Sequence, residues 1–177
     1  MPYEGQTFVN ARTGQRMTFI ELVPEVLRIE TVNPPGETRE PVHVHPRQHS
    51  GAEVISGALV FELEGHERRV AAGESIDVPA GTAHCFWTDG AEHAVAIQTF
   101  RPALDIAAFF ETYAVLAGRG ELTAKGMPGA LQLAAMIPEF ADEIRVTRPP
   151  WIVQRIYAAA LGPVARAKGV TARRALA

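Results

Sequence analysis

The chain has 177 residues, 47% hydrophobic and 21% charged, the balance of a globular protein with one core of ordinary size and room for an appended element. No apolar stretch approaches the ~18 residues that span a bilayer, the start lacks a cationic segment followed by an apolar run, and a lone cysteine, Cys85, excludes an internal disulfide. A membrane span and a leader are therefore not expected, and a cytoplasmic setting is.

Residues 7–100 read as β. Short β-prone runs at 17–22, 26–33, 42–45, 53–55, 59–63, 75–78, 85–88 and 93–100 are separated by turn signals: Pro34-Pro35-Gly36, Ser56-Gly57, Glu64-Gly65, Ala72-Gly73, Pro79-Ala80-Gly81 and Asp89-Gly90. Many short strands with Gly/Pro turns predict a sandwich or a barrel. After Phe100 the period changes. Pro102 suits a helix N1 position with Asp105 in the first turn. Ile106, Phe109, Phe110, Tyr113 and Ala117 then recur at i, i+3, i+4, i+7 and i+11, predicting an amphipathic helix that Gly118 ends. Residues 119–129 read as a linker and 130–146 as one or two short helices interrupted at Pro138. Pro149-Pro150 open a last helix, kinked at Pro163, with Val153, Ile156, Tyr157, Ala160, Leu161 and Val164 on one face. The expected organisation is a β-barrel domain over residues 1–101 and a helical extension over 102–177, packed on the barrel or on a dimer mate.

The formal net charge of −3 is unevenly spread. All 20 acidic residues precede Arg145, whereas seven of the 17 basic ones lie from Arg145 onward. That tail lacks the aromatic interleaving of a nucleic-acid site, so no nucleic-acid partner is expected. It is read as docking on the acidic barrel of its own chain or of a second subunit.

Two motifs carry chemistry. In His43-Val44-His45, alternate strand residues share a face, so both imidazoles project together. In Gly73-x5-Pro79-x-Gly81-x2-His84, the segment Pro79-Ala80-Gly81-Thr82 fits a type II turn. The strand after it sends His84 inward, with Phe86 and Thr88 on the same face and Cys85 and Trp87 pointing away. Gln98 on a later strand is a further candidate for the pocket wall.

Over residues 26–100 these motifs together resemble the cupin family. Its first motif is matched by Gly36, His43, His45 and Gly57, and its second by Gly73, Pro79, Gly81 and His84. The resemblance implies a mainly β double-stranded β-helix, or jelly-roll, barrel, here followed by C-terminal α-helices. It also implies His43, His45 and His84 as ligands of a divalent transition metal (Fe, Mn, Ni, Cu, Co or Zn), and a homodimer. Two positions depart from the pattern: Ser50 stands at the usual Glu place, and Thr88 at the terminal Asn of the second motif. Losing the carboxylate leaves three outcomes. His49 turns in as a fourth ligand, three imidazoles hold the ion with open positions, or metal binding is lost. Gly51 and Ala52 are small and predict a wide pocket lined by Ser50, Ala52, Phe86, Thr88 and Gln98.

Three function classes follow. The first is a metalloenzyme acting on a small polar or anionic molecule by oxygenation, isomerisation or decarboxylation. The second is a non-catalytic ligand binder or sensor. The third is an interaction module in which the C-terminal helices, from Arg145 onward, meet a partner or an anionic or membrane surface through an exposed Val153–Val164 face.

Overall fold

The computed structural model describes residues 1–36 and 39–176. Its strands are β1 (Thr7–Val9), β2 (Arg16–Val23), β3 (Val26–Asn33), β4 (His43–Val44), β5 (His49–Ser56) and β6 (Ala58–Leu63), followed by β7 (His66–Ala71), β8 (Ser75–Val78), β9 (His84–Thr88) and β10 (Ala94–Arg101). Helices α1 (Ile106–Gly118) and α2 (Ala130–Glu139), a short β11 (Arg145–Val146) and helix α3 (Trp151–Ala167) complete the chain. A six-stranded sheet in the order β1-β2-β3-β10-β5-β8 and a five-stranded sheet in the order β11-β4-β9-β6-β7 form the jelly roll, and every pairing is antiparallel.

Strand parity decides what faces the interior. On β3, Leu27, Ile29, Thr31 and Asn33 are buried, and on β10 so are Ala94, Ala96, Gln98 and Phe100. The two rows meet in register, Leu27 opposite Phe100 and Ile29 opposite Gln98. Helix α1 packs on this same face, placing Ile106, Ala107 and Ala114 in one core with Phe8, Phe19, Leu27, Ile29 and Phe100. A second cluster fills the barrel with Val54, Leu59, Phe61, Val70 and Ile76, and a third joins α1 to α2 through Ala108, Leu116, Met136 and Phe140.

Each expected β run holds a strand, and three further strands fall outside those runs. One is β7, whose first four residues are exposed. The others are β1 and the two-residue β11. Helix α1 starts at Ile106 with Asp105 as its N-cap, so Pro102 lies before the helix rather than at N1. Pro138 sits in the last turn of α2 and does not divide it. Helix α3 packs chiefly on α2. Its buried stripe is Gln154, Ala158 and Ala165, while Ile152, Val153, Ile156 and Val164 are exposed, so the expected apolar face is not the one that packs. Small side chains let α2 approach closely, and the branched ones stay outside.

The basic tail meets the barrel at its start, where β11 pairs with β4, and the helices at its end. Arg173 bonds Asp105 at 2.7 Å and Glu139 at 2.5 Å, and the Arg174 guanidinium bonds Gln132. The acidic partners therefore belong to the α1 and α2 region.

Two glycines test what the turns require. Gly57, between β5 and β6, has φ +70°, and a Cβ there would lie 2.6 Å from the His93 carbonyl oxygen and 2.9 Å from the Ala94 Cα. Gly65, in the two-residue β6–β7 turn, has φ +84° with nothing within 4 Å. Gly65→Ala should cost only the left-handed penalty, about 1–2 kcal/mol. Gly57→Ala adds a backbone collision and should cost about 3 kcal/mol or more. Urea unfolding of the two variants side by side measures the difference.

Candidate metal centre and ligand cavity

The three histidines of the two motifs meet. His43 on β4 lies directly opposite His84 on β9, and His45, two residues on, falls on the same face. Ring centroids are 5.1 Å apart for His43 and His45, 4.5 Å for His43 and His84, and 5.2 Å for His45 and His84. One nitrogen from each ring lies within 4.8 Å of the others.

The backbone fixes how these rings face. The Nδ1 of His43 is 2.8 Å from the Pro41 carbonyl, that of His84 is 2.9 Å from the Thr82 carbonyl, and that of His45 is 2.6 Å from the Glu143 carbonyl. A carbonyl oxygen only accepts, so each Nδ1 carries the proton and donates it. Each neutral ring therefore keeps its lone pair on Nε2. Burial, reinforced by His84 and His45, holds His43 well below the usual imidazole range. Burial and His84 lower His45 to about 4, and burial also lowers His84. Three neutral imidazoles, each oriented by its Nδ1 hydrogen bond, are a donor set suited to a borderline transition metal ion.

The cluster opens into a cavity of about 230 Å³. Ser50, Ala52, Phe86, Thr88 and Gln98 all line it, on β5, β9 and β10, Phe86 and Thr88 by the strand parity they share with His84. Ser50 is buried opposite Phe100, whose ring packs edge-on against His45 with centroids 5.2 Å apart. His49 is a correction. It precedes Ser50, so it takes the opposite face of β5, where it is exposed and bonds Asp77, and it does not join the three-His cluster. Gly51 is also explained differently: a Cβ there would stand 2.6 Å from the Ile76 carbonyl oxygen, so the close approach of β8 requires it. Trp87, expected to point away, also borders the cavity, with the Arg39 guanidinium 3.4 Å from its ring centroid. Cys85 does point away. It is buried, and burial pushes its thiol up.

The helices contribute more than packing. Phe109, Phe110 and Tyr113 of α1, Met136 of α2, and Phe140 and Ile144 beyond it all line the cavity. Strand β11 pairs with β4, Arg145 opposite Val44 and Val146 opposite His43, just after Glu143 has accepted the His45 bond. Sequence reasoning missed Glu143 because its contribution is a main-chain carbonyl 98 residues from His45. It also missed Glu40, whose carboxylate on the cavity wall is held by Asn10, Arg12 and the Tyr113 hydroxyl at 2.7–3.1 Å.

Residues 30–100 match the Cupin_2 family, described as a cupin domain. The barrel is a cupin. A 46-residue stretch is 37% identical to quercetin 2,3-dioxygenase of Bacillus subtilis, covering 26% of this chain and 14% of that protein. Among solved structures, an RmlC-like cupin from Shewanella frigidimarina superposes with a TM-score of 0.50 at 21% identity, over 60% of this chain and 93% of the other. KdgF from Halomonas sp. gives a TM-score of 0.48 at 26% identity, over 52% and 84%. The likeness to the RmlC-like cupin speaks to the fold alone. Among the described residues no helix is long and apolar enough to cross a membrane.

The buried imidazoles give this cupin a defined acid response. The unfolded chain binds protons on these rings below about pH 6.5, where the folded chain still refuses them, so stability present above that pH is lost as the pH falls toward the depressed folded values. For His45, displaced from 6.5 to about 4, the effect is of the order of 3 kcal/mol. Urea unfolding with chelator present, between about pH 7 and pH 4, should show the decline, and His45→Gln should flatten it.

Proposed function

We propose that this cupin is a metalloenzyme acting on a small molecule, with His43, His45 and His84 as the ligands of one divalent transition metal ion. The observation that carries the reading is the triple orientation: each Nδ1 is tied to a backbone carbonyl, which leaves Nε2 for an ion at the cavity wall. Fe, Mn, Ni, Cu, Co and Zn all suit such donors. The bound ion supplies Lewis acidity or redox chemistry to a substrate oxygen, which covers oxygenation, isomerisation and decarboxylation. The match to a stretch of a dioxygenase favours the first of these.

The chain's own residues shape what happens there. Ser50 brings no charge, so three neutral rings leave the ion's two positive charges uncompensated within a cavity of low polarity, and an anionic or chelating substrate restores the balance. Phe100 packs edge-on against His45 and excludes water from that side of the ring. Helices α1 and α2 line one side of the cavity with apolar side chains.

A second reading, a non-catalytic binder or sensor, is favoured by Ser50 and by Glu40, whose carboxylate is committed to Arg12 and Tyr113 instead of being free to move protons. It predicts that ligand binding survives metal removal.

Elemental mass spectrometry on untagged protein should find close to one ion per chain, and the double variant His43→Ala/His84→Ala should carry none while keeping its fold by circular dichroism. Wild-type protein that is empty as purified, and that takes up none of the six metals on reconstitution, would overturn the metalloenzyme reading in favour of the binder.

A further inference from the structure

We infer that the cavity recognises a ligand with an aromatic or otherwise flat apolar body and an oxygen acceptor held by the Gln98 amide. This deepens the proposed function, and rests on it in naming the substrate class for that same site. A sugar or sugar phosphate is the wrong kind of occupant.

The first argument is the wall. On the barrel side Phe61 and Phe86 stack with centroids 5.2 Å apart and planes at 24°, forming one broad apolar surface beside His84. Phe110, Met136 and Ile144 face the cavity from the helical side. A polyhydroxylated ligand needs a hydrogen-bonding partner for each hydroxyl that it strips of water, and an unmatched one costs about 1–3 kcal/mol. These apolar side chains offer none, and several polar groups elsewhere on the lining are already bonded to one another, Gln15 to Asn33 and Tyr113 to Glu40. A cavity of about 150 Å³ lined by apolar side chains admits benzene, so about 230 Å³ has room for one substituted ring.

The second argument is a polar group left without a partner. The charged groups on the wall are occupied. Glu40 is held by Arg12, Asn10 and Tyr113. Arg145 donates to the Ala141 carbonyl, faces Asp142 at 3.9 Å and lies 4.1 Å from the Trp151 ring centroid. Gln98 differs. It is 7% exposed, it lines the cavity, and its Nε2 has no hydrogen-bond partner among the described residues. A buried amide N–H without an acceptor is destabilising, and native structures keep few of them. A half-turn about its broad terminal torsion would exchange this buried Nε2 with Oε1, and in that orientation the donor would meet a ligand in the cavity. Gln98 stands two residues before Phe100 on the same inner face of β10, about 7 Å along the strand from the residue that packs on His45. One ligand can therefore lie with its ring on the Phe61–Phe86 wall and an oxygen against Gln98, while its other end faces the three imidazoles.

The test uses the full-length protein, as purified and after dialysis against EDTA, with three probes titrated by protein NMR: acetophenone, ethylbenzene and glucose 6-phosphate. Acetophenone and ethylbenzene match in size and differ in the carbonyl acceptor. Both should perturb cavity resonances saturably, and glucose 6-phosphate should not. In Gln98→Met, which keeps the length but not the donor, the preference for acetophenone over ethylbenzene should fall about tenfold. The ligand-free variant should also melt higher than wild type, because the orphaned amide is gone. Saturable binding of glucose 6-phosphate at least as tight as that of acetophenone would overturn the inference. So would a preference that survives Gln98→Met unchanged. Because the Gln98 comparison is read with and without metal, its failure is distinct from failure to find metal in the three-His site.

Discussion

Three imidazoles buried together must each place one N–H, and the way they do so organises this molecule. An unpaired buried donor costs about 1–3 kcal/mol, and three rings in one pocket would multiply that cost. Two of the bonds are local: His43 and His84 each donate to the carbonyl two residues earlier, so the strand entry that carries the histidine also orients it. The third is not. His45 reaches the Glu143 carbonyl across 98 residues. The cluster is therefore complete only when the segment after α2 has returned to the barrel, and β11, paired with β4, is the clamp that keeps it there.

That clamp changes the standing of the helical extension. Read as sequence, it is an extension that follows a finished barrel. In the fold, the barrel's inner face continues under α1, where Phe100, Ile106 and Ala107 share one core, and the helices supply much of the cavity wall. The tail's cations serve the same end, since Arg173 ties Asp105, at the start of α1, to Glu139, at the end of α2.

The legible part of the site was the part written in period and spacing. Parity from His43 and His84 placed His45, Phe86 and Thr88, whereas the inward turn of Gln98 beside Phe100 is seen only in the burial alternation of β10. The same rule, applied to Ser50, should have turned His49 outward, and it does. Three things were not legible, each for a physical reason. A main-chain carbonyl such as that of Glu143 leaves no residue-type signal. A two-residue strand such as β11 has no alternation to read. An apolar stripe such as Val153, Ile156 and Val164 states a preference for burial that tertiary packing need not satisfy, and α3 buries the smaller Ala158 and Ala165 beside it instead.

In the proposed function Ser50 and Gln98 would act on the same ligand from opposite directions. With a carboxylate at Ser50, the ion's charge would be partly met by the protein, and a neutral ligand would suffice. Without it, the charge must be met by whatever enters, and the entrant must also satisfy an amide donor beside an aromatic wall. A hydrated anion meets the first demand but not the wall, and a hydrocarbon meets the wall but neither polar demand. A flat molecule with its oxygens gathered on one side meets all of them, because its polar edge can face the imidazoles and Gln98 while the ring stays on Phe61 and Phe86. The absence of one carboxylate thus narrows the range of ligands that this cavity can hold.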